Sequence, residues 1–483
     1  MLNIKIYQDF AKFLEKKLKP QGAVFAVGIT AFMRFFPALF LQNFKIITFK
    51  DSKDNKVLEK YAEIFCLKKR KPGIKLRFSN ANNLLRNKTI RNYISQYKGG
   101  KFLFLYRSNN NIQNAVRKLG VKIIANHSKI NKIFENKANF RRVMDKVKIK
   151  PILGKTFEFG EFNSKDYKFF KKKYGLKFVI QLPDFMLGGG KGTLFIKNEK
   201  DFKKFKSQIK EGKYKGKILT VVNITKLLTG LSCSVVCCAT KYGTLVSKIQ
   251  RQIIDIPQII SPKKGNGLFC GHVFGPEFSS QIVKQSQEIA TKLGKYMYKM
   301  GYKGIFGIDL IVNEKQNKVY PVECNARYTG AFPMLSMIHL KYKIIPRDLF
   351  HFLEFLNIPY KINVSQLNKM YQRPISGSHI VLSNIKDHSL KVKKELNVGV
   401  YNFNQKNKKI AFKKETIFYD DLENDNDFIL VDGVPKKGAE IKKWSRLARI
   451  CHVLFKGDIL QKNGKLKPKY LQIVKVIYKV MFK

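Results

Sequence analysis

One pair of short apolar segments constrains this chain more than any other stretch. Residues 304–312 and 319–327 both read as strands, and the polar run from Asn313 to Lys318 separates them. Strand side chains alternate between faces, so Glu323 and Asn325 share a face and Arg327 follows on it. Folding the segment about its turn sets Asp309 roughly opposite Glu323. Two carboxylates and an amide oxygen then converge. Hard cations such as Mg²⁺ take ligands of this kind, usually one or two carboxylates completed by substrate phosphates. Acids are scarce in this chain, 34 Asp and Glu against 94 Lys and Arg, and strands disfavour them. Acids inside apolar strands therefore point to a site, although the residues alone also permit a hairpin edge with two solvated carboxylates.

A chain of 483 residues predicts about three domains. With 44% hydrophobic and 13% aromatic residues, packed cores are expected and large-scale disorder is not. The seven cysteines, Cys66, Cys233, Cys237, Cys238, Cys270, Cys324 and Cys451, match no zinc spacing. They read as reduced and buried, which suits a cytoplasmic protein. A net charge of +60 raises the class of nucleic-acid binders. The basic residues are mostly lysine, however, and scattered over the whole length, with no arginine block, zinc finger or RNA-recognition signature. The charge is expected to attract anionic substrates, and no specific nucleic-acid partner is expected. Residues 23–41 form an apolar run of membrane-spanning length, but Arg34 and Pro37 interrupt it. A charge near the centre of a span is costly. The run is expected to be a buried strand (23–28), a loop and a helix, with no membrane span and no cleavable signal peptide before it.

Strand-like runs at 23–27, 44–49, 102–106 and 121–124, with a crossover helix at 111–119, predict a parallel sheet covered by helices on both faces. No G-x-G-x-x-G follows these strands, so a dinucleotide site is unsupported. Beyond residue 130, a helix is expected over 128–147, and helices near 201–211 and 278–300 alternate with strands. The last section opens with a helix at 346–356. It continues with strands near 378–382, 398–402 and 428–431, and with a turn entering a strand at 434–441. Residues 470–482 place Leu471, Val474, Ile477 and Met481 at helical spacing. That pattern predicts a terminal helix docked on its own domain, with a membrane-surface helix as the alternative.

Residues 178–196 read as strand, glycine-rich loop, strand. The loop contains Gly188, Gly189, Gly190, Lys191 and Gly192, followed by Thr193. Glycines let backbone N–H groups approach and cradle phosphate oxygens, and Lys191 adds charge. The P-loop spacing fails, and a strand rather than a helix follows; an ordinary glycine-rich hairpin turn also fits. Thr225, Lys226 and Leu228 join two strand patterns. Such an apolar hinge can hold a flat base, although any strand pair reads in the same way.

Taken in order, these pieces resemble the ATP-grasp superfamily, in particular its biotin carboxylase-like and carbamoyl-phosphate-synthetase-like members. The resemblance begins at residues 136–144, where Lys137 matches a helix lysine that reaches the ATP phosphates. It implies an α/β fold (α+β in the ATP-binding core). The implied domains are a parallel-sheet pre-ATP-grasp domain at 1–130, an ATP-grasp domain at 131–345 with a mobile lid at about 152–222, and a C-terminal helix plus small β-rich domain and terminal helix at 346–483. It implies ATP and Mg²⁺ (or Mn²⁺) as cofactors. Asp309, Glu323 and Asn325 match the metal ligands. Gly188 to Gly192 and Thr193 match the phosphate lid, and Thr225, Lys226 and Leu228 the adenine hinge. Arg327 matches an arginine that stabilises the reacting phosphoryl group or intermediate. The implied activity is a ligase that activates a small-molecule carboxylate as an acyl phosphate for attack by an amine or similar nucleophile. Gln181 stands where many members carry a lysine or arginine, and Thr225 replaces a common hinge glutamate. Tyr328 to Ala331 replaces the run that carries the bicarbonate base in biotin carboxylases, so authentic biotin carboxylation is not expected. Two further readings remain: a non-catalytic ATP-binding module in which Gln181 and Thr225 mark lost chemistry, and a basic nucleic-acid-associated protein. Lys248, Gln250 and Arg251 are candidate phosphate or substrate contacts. The loop from Gly265 to His272 is a candidate substrate-side wall, with His272 itself read as structural.

Overall fold

The computed structural model describes residues 2–3, 17–74, 76, 80–183, 192–261, 267–443 and 448–483. The first section holds a five-stranded, fully parallel sheet. Its order is Glu63–Cys66, Phe44–Thr48, Gly22–Gly28, Gly100–Phe104, Val121–Ile124. Val24, Phe25 and Ala26 are all fully buried. Helices cover both faces, so the central strand reads as an unbroken apolar run and not as an alternation. Residues 23–41 become the strand Gly22–Gly28, a short helix Phe32–Phe35 and a 3₁₀ turn Phe36–Leu39. Arg34 is accommodated by stacking 3.7 Å over the Tyr106 ring and donating to the Val27 carbonyl. No described helix is long and apolar enough to cross a membrane.

The single helix expected over 128–147 is two helices, Ser128–Glu135 and Lys137–Lys146. Asn136 breaks them. Its backbone is extended, and its side chain accepts from the N–H groups of Ala138 and Asn139. An Asn so placed caps the second helix, an effect worth about 1 kcal/mol. The break also makes Glu135 the last residue of one helix and Lys137 the first of the next.

The middle of the chain forms a separate four-stranded sheet in the order Gly154–Glu158, Val221–Lys226, Phe178–Gln181, Thr193–Ile196. The helices Tyr167–Tyr174 and Glu199–Ser207 close over it through Phe157, Phe162, Phe170, Phe178, Phe202 and Phe205, all buried. Aromatic rings contribute large apolar area with few rotatable bonds, which suits a small core.

The largest sheet has eleven strands. From one edge it runs Lys318–Asn325, Gly304–Asn313, Leu231–Thr240, Gln250–Ile254, Phe269–Phe274, Gly377–Ser383, Arg449–Phe455, Asp427–Val431, Gly399–Asn404, Lys409–Lys414, and Gly243–Val246 pairs off Leu231–Thr240. Antiparallel pairing of Phe269–Phe274 with Gly377–Ser383 carries the sheet across position 345/346 without interruption. The whole is a mixed α/β fold with an N-terminal parallel sheet, antiparallel sheets in the core and a β-rich C-terminal part. All seven cysteines are free and buried.

The terminal helix Pro468–Phe482 buries Tyr470, Ile473, Val474, Ile477 and Met481 against the main core, while Lys475 stays exposed. The helix is therefore docked and does not present this face to a membrane. Ile477→Ala should lower unfolding free energy by about 2–4 kcal/mol through lost burial and a residual cavity. Lys475→Ala should stay within about 0.5 kcal/mol. Urea unfolding of the two variants checks both values.

Candidate functional site

The hairpin register places Asp309 directly opposite Glu323, and Gly307 opposite Asn325. A turn of 3₁₀ helix at Glu314–Gln316 and Asn317 in the left-handed region (φ 49°) reverse the chain; Asn tolerates that conformation better than most side chains. A bulge follows Asp309, so that Leu310 faces Pro321. Bulges of this kind re-aim a side chain next to a site.

Around the acid pair the side chains interlock. Asn325 Nδ2 donates to Asp309 Oδ2 at 3.2 Å, and Gln252 Nε2 donates to Asp309 Oδ1 at 3.0 Å. Lys137 Nζ lies 2.9 Å from Glu323 Oε2 and 3.2 Å from Thr193 Oγ1. Arg327 Nη2 donates to Asn325 Oδ1 at 2.7 Å. Burial, and after it the charge of Glu323, push the Asp309 carboxyl up to about 8. Burial acts in the same direction on Glu323, but the Lys137 ammonium and a hydrogen bond from Asp309 outweigh it, so Glu323 is held below its ordinary value. The pair thus shares one proton, carried by Asp309. A divalent cation would displace that proton and take both carboxylates, and the amide oxygen of Asn325 completes a donor set suited to a hard ion. Among the described residues no cluster of three or more His, Cys, Asp or Glu offers a competing metal site.

The pair opens on a cavity of about 1290 Å³. Lys137, Gln181, Thr193, Thr225, Lys226, Leu228, Asp309, Glu323, Asn325 and Arg327 all line it. Gln181 is 7% exposed, and its carbonyl oxygen accepts from Asn223 Nδ2 at 2.8 Å. Its NH₂ end is then the end available to the cavity. Thr225 sits in the middle strand of the small sheet, facing Gly154 on one side and Val179 on the other. The chain leaves that sheet at Lys226 and enters the large one at Leu231. Gly230 is required at this crossing, because a Cβ there would sit 2.6 Å from the Val312 carbonyl. Gly192 is buried, and its carbonyl accepts from the Leu182 N–H. Gly188, Gly189, Gly190 and Lys191 lie outside the described residues.

Lys248, Gln250 and Arg251 are not among the cavity-lining residues. Gln250 is instead buried and donates to Ser234 Oγ, while Gln252, two positions on and on the same strand face, reaches the cavity and Asp309. Gly267 and His272 do line the cavity. His272 is bonded to His379 at 2.9 Å, and burial holds its pKa down to about 3. It is a neutral structural histidine. Three residues at the site carried no sequence signal of their own: Gln252, Arg107 and Glu135. Glu135 has only 7% of its side chain exposed and contacts both Arg327 and Arg107. Burial raises its carboxyl above the ordinary value, against the pull of the two guanidiniums.

A family model described as the ATP-grasp domain matches residues 145–331. That stretch, less than half of the chain, is similar to the ATP-grasp domain. The matched stretch contains Gln181, Thr193, Thr225, Asp309, Glu323, Asn325 and Arg327. Over 167 residues the chain is 27% identical to a [butirosin acyl-carrier protein]–L-glutamate ligase of Niallia circulans, covering 34% of this chain and 35% of that protein. The match thus spans about a third of the length of that curated relative. Among solved structures, the biotin carboxylase domain of the Hydrogenobacter thermophilus 2-oxoglutarate carboxylase, with MgADP, ADP and bicarbonate, superposes with a TM-score of 0.61 at 13% identity, covering 90% of this chain and 86% of that one. The Campylobacter jejuni biotin carboxylase gives 0.59 at 13% identity, with 90% and 87% covered. The N5-carboxyaminoimidazole synthase of Aspergillus clavatus gives 0.54 at 11% identity, with 95% and 99% covered. These likenesses extend the shared fold over 90–95% of the chain.

The acid pair has a measurable stability signature. In the unfolded chain Asp309 ionises near its ordinary value of 3.8, whereas in the fold it holds its proton to about 8. The folded state therefore binds more protons than the unfolded state between those values, and stability falls as pH rises through the window. Asp309→Asn removes the titration. Its unfolding free energy relative to wild type should increase from pH 5 to pH 8.5, measured by urea unfolding with a chelator present.

Proposed function

We propose that this chain is an ATP-dependent ligase that uses Mg²⁺ (or Mn²⁺) to activate a small-molecule carboxylate as an acyl phosphate for attack by an amine or similar nucleophile. One observation carries the reading. Asp309, Glu323 and Asn325 stand in register on neighbouring strands at the wall of a cavity that Lys137 and Arg327 also line. The cavity exceeds the several-hundred-Å³ range of ordinary small-molecule pockets, so it has room for a nucleotide and an acceptor together.

In this reading Thr225, Lys226 and Leu228 hold the adenine, and Lys137 and Thr193 face the phosphates. Asp309, Glu323 and Asn325 would hold the divalent ion, which would supply positive charge against the transferring phosphoryl group. Gln181 contributes a neutral donor where a cation would otherwise sit, and Lys137 supplies positive charge to the phosphates. The acceptor carboxylate attacks the γ-phosphorus, the bond to the bridging oxygen breaks, and ADP leaves with the electron pair. Arg327 holds the resulting acyl phosphate, to which a guanidinium fork is suited. The amine then attacks the acyl carbon and phosphate leaves. The acyl phosphate must be kept from water, which would otherwise destroy it. The substrates are small molecules, and the +60 charge draws in their anionic forms without a specific nucleic-acid partner. The buried free cysteines suit a reducing cytoplasmic setting.

Biotin carboxylation is disfavoured by the residues after Arg327. Tyr328, Thr329 and Gly330 supply no carboxylate, and the Tyr328 hydroxyl is bonded to the buried Asp348. The test is a screen for ADP release against pools of carboxylic acids and amines with Mg²⁺. At least one pair should stimulate release, and Glu323→Gln should reduce it by about 10³-fold, the scale on which charge-stabilising groups act. ATP binding with no turnover on any pair would favour a non-catalytic nucleotide-binding module. Undiminished turnover by Glu323→Gln would remove the metal assignment.

A further inference from the structure

Arg107 belongs to the first section of the chain, yet it is joined to Arg327 through one carboxylate. Glu135 Oε2 lies 2.6 Å from Arg107 Nη2, and Glu135 Oε1 lies 3.3 Å from Arg327 Nε. The backbones are joined as well. The Tyr328 N–H donates to the Tyr106 carbonyl at 3.0 Å, and the two tyrosine rings pack with centroids 4.5 Å apart. Arg107 follows one of these docked tyrosines and Arg327 precedes the other, and both guanidiniums meet the same carboxylate. Both line the cavity, with 38% and 29% of their side chains exposed, whereas Glu135 has only 7% exposed and lies behind them.

Charge counting gives this trio a direction. Two guanidiniums against one carboxylate leave a single positive charge in excess, and it lies on the cavity side. A carboxylate consumed only in holding one arginine would be neutralised. Glu135 instead bridges two, so neither fork is fully used, and an oxyanion entering the cavity between them finds unused N–H donors. Arginine forks favour such planar, two-oxygen groups over point charges. The position also fits the chemistry. Arg327 donates to Asn325, which donates in turn to Asp309, so the pair lies one residue beyond the proposed metal ligands, where an attacking group would approach the terminal phosphate.

We propose that Arg107 and Arg327 together form the seat of the acceptor carboxylate, and that Glu135 is the positioning residue that sets the two guanidiniums. This rests on the ligase reading above and names the part of the site that selects its acceptor. The seated carboxylate directs one oxygen to the γ-phosphorus. That oxygen forms the new P–O bond as ADP departs with the electrons of the old one, and the arginines remain paired with the acyl phosphate. Electrostatically the seat offsets the approach of an anion to an anionic triphosphate, which is the main barrier to placing these two reactants together.

The experiment uses the full-length chain with MgATP and hydroxylamine, which traps an acyl phosphate as a hydroxamate without needing the native amine. Carboxylic acids that give hydroxamate with the wild type are then titrated against Arg107→Ala, Arg107→Lys and Glu135→Gln. The seat predicts that Arg107→Ala raises the carboxylate KM by about 10–100-fold, the scale of a lost charge-assisted pair, while the ATP KM moves by less than about 2-fold. Arg107→Lys, which keeps the charge and loses the fork, should fall between Arg107→Ala and wild type. Glu135→Gln should raise the carboxylate KM with little effect on ATP. Thermal melting with and without MgATP shows that each variant is folded and still binds nucleotide. An unchanged carboxylate KM in folded Arg107→Ala overturns the seat and leaves the ligase reading standing. A parallel rise in the ATP KM overturns it as well, because Arg107 would then serve the nucleotide. Absence of hydroxamate from the wild type with every acid overturns the ligase reading, and the seat with it.

Discussion

The site depends on an electrostatic compromise between two neighbouring strands. The hairpin register forces Asp309 and Glu323 together, and two carboxylates at that separation cannot both be ionised cheaply in a partly dry setting. The resolution is asymmetric. Lys137 stabilises the charge on Glu323, and Asp309 keeps the proton. Asn325 and Gln252 then complete the hydrogen bonding of Asp309. A pair arranged in this way is a poor stabilising element on its own. On the proposed reading it is a ligand set whose mutual repulsion a divalent ion would offset.

Much of the surrounding architecture serves to bring cations to that pair from elements distant in sequence. Asn136 is the clearest case. By ending one helix and capping the next it turns a single long helix into two. Glu135 and Lys137, two residues apart, then take up separate tasks. Glu135 binds the arginines of two different segments, and Lys137 meets Glu323. On an uninterrupted helix, residues two apart point to divergent directions, and no such division between adjoining parts of one cavity would follow. The eleven-stranded sheet supplies the fixed wall, and the small aromatic-cored sheet supplies the opposite wall at Gln181, Thr193 and Thr225. The crossing between them at residues 227–230 is short, so the two walls are linked by few backbone torsions.

The legible parts of the sequence were those written at period two or at helical spacing. The register of Asp309 and Glu323 could be read because strand alternation fixes faces and because acids are rare enough in this chain for a pair to stand out. The run at 23–41 was likewise readable, since Arg34 and Pro37 ruled out a span before any contact was known. What could not be read depends on pairing between distant segments. Arg107 is one basic residue among 94, and only its contact with Glu135 distinguishes it. Gln252 was hidden by Gln250, which has the same side chain on the same strand face but ends in the core against Ser234. The helix break was missed because the apolar spacing on either side of Asn136 is almost continuous, so the cap showed only in the backbone. The strands Glu63–Cys66 and Arg449–Phe455 were also missed. The first is four residues long, too short for a period, and the second is buried over most of its length with a histidine in the middle, so it lacks an alternating pattern.

The overall charge and the site charge follow different rules. A net +60 spread along the chain is screened within about 8 Å at physiological salt. It raises the local concentration of anions but does not select one. Around the acid pair, Lys137 meets Glu323, and Arg327 and Arg107 meet Glu135. Burying an unpaired charge is costly, and each of these three cations is held by an acid. The scarce acids, and not the abundant bases, therefore mark where the chemistry lies. Each buried carboxylate fixes the position of one or two cations that the composition alone would leave indistinguishable from the rest. On the proposed reading, Glu323 would direct Lys137 to the nucleotide and Glu135 would direct two arginines to the acceptor.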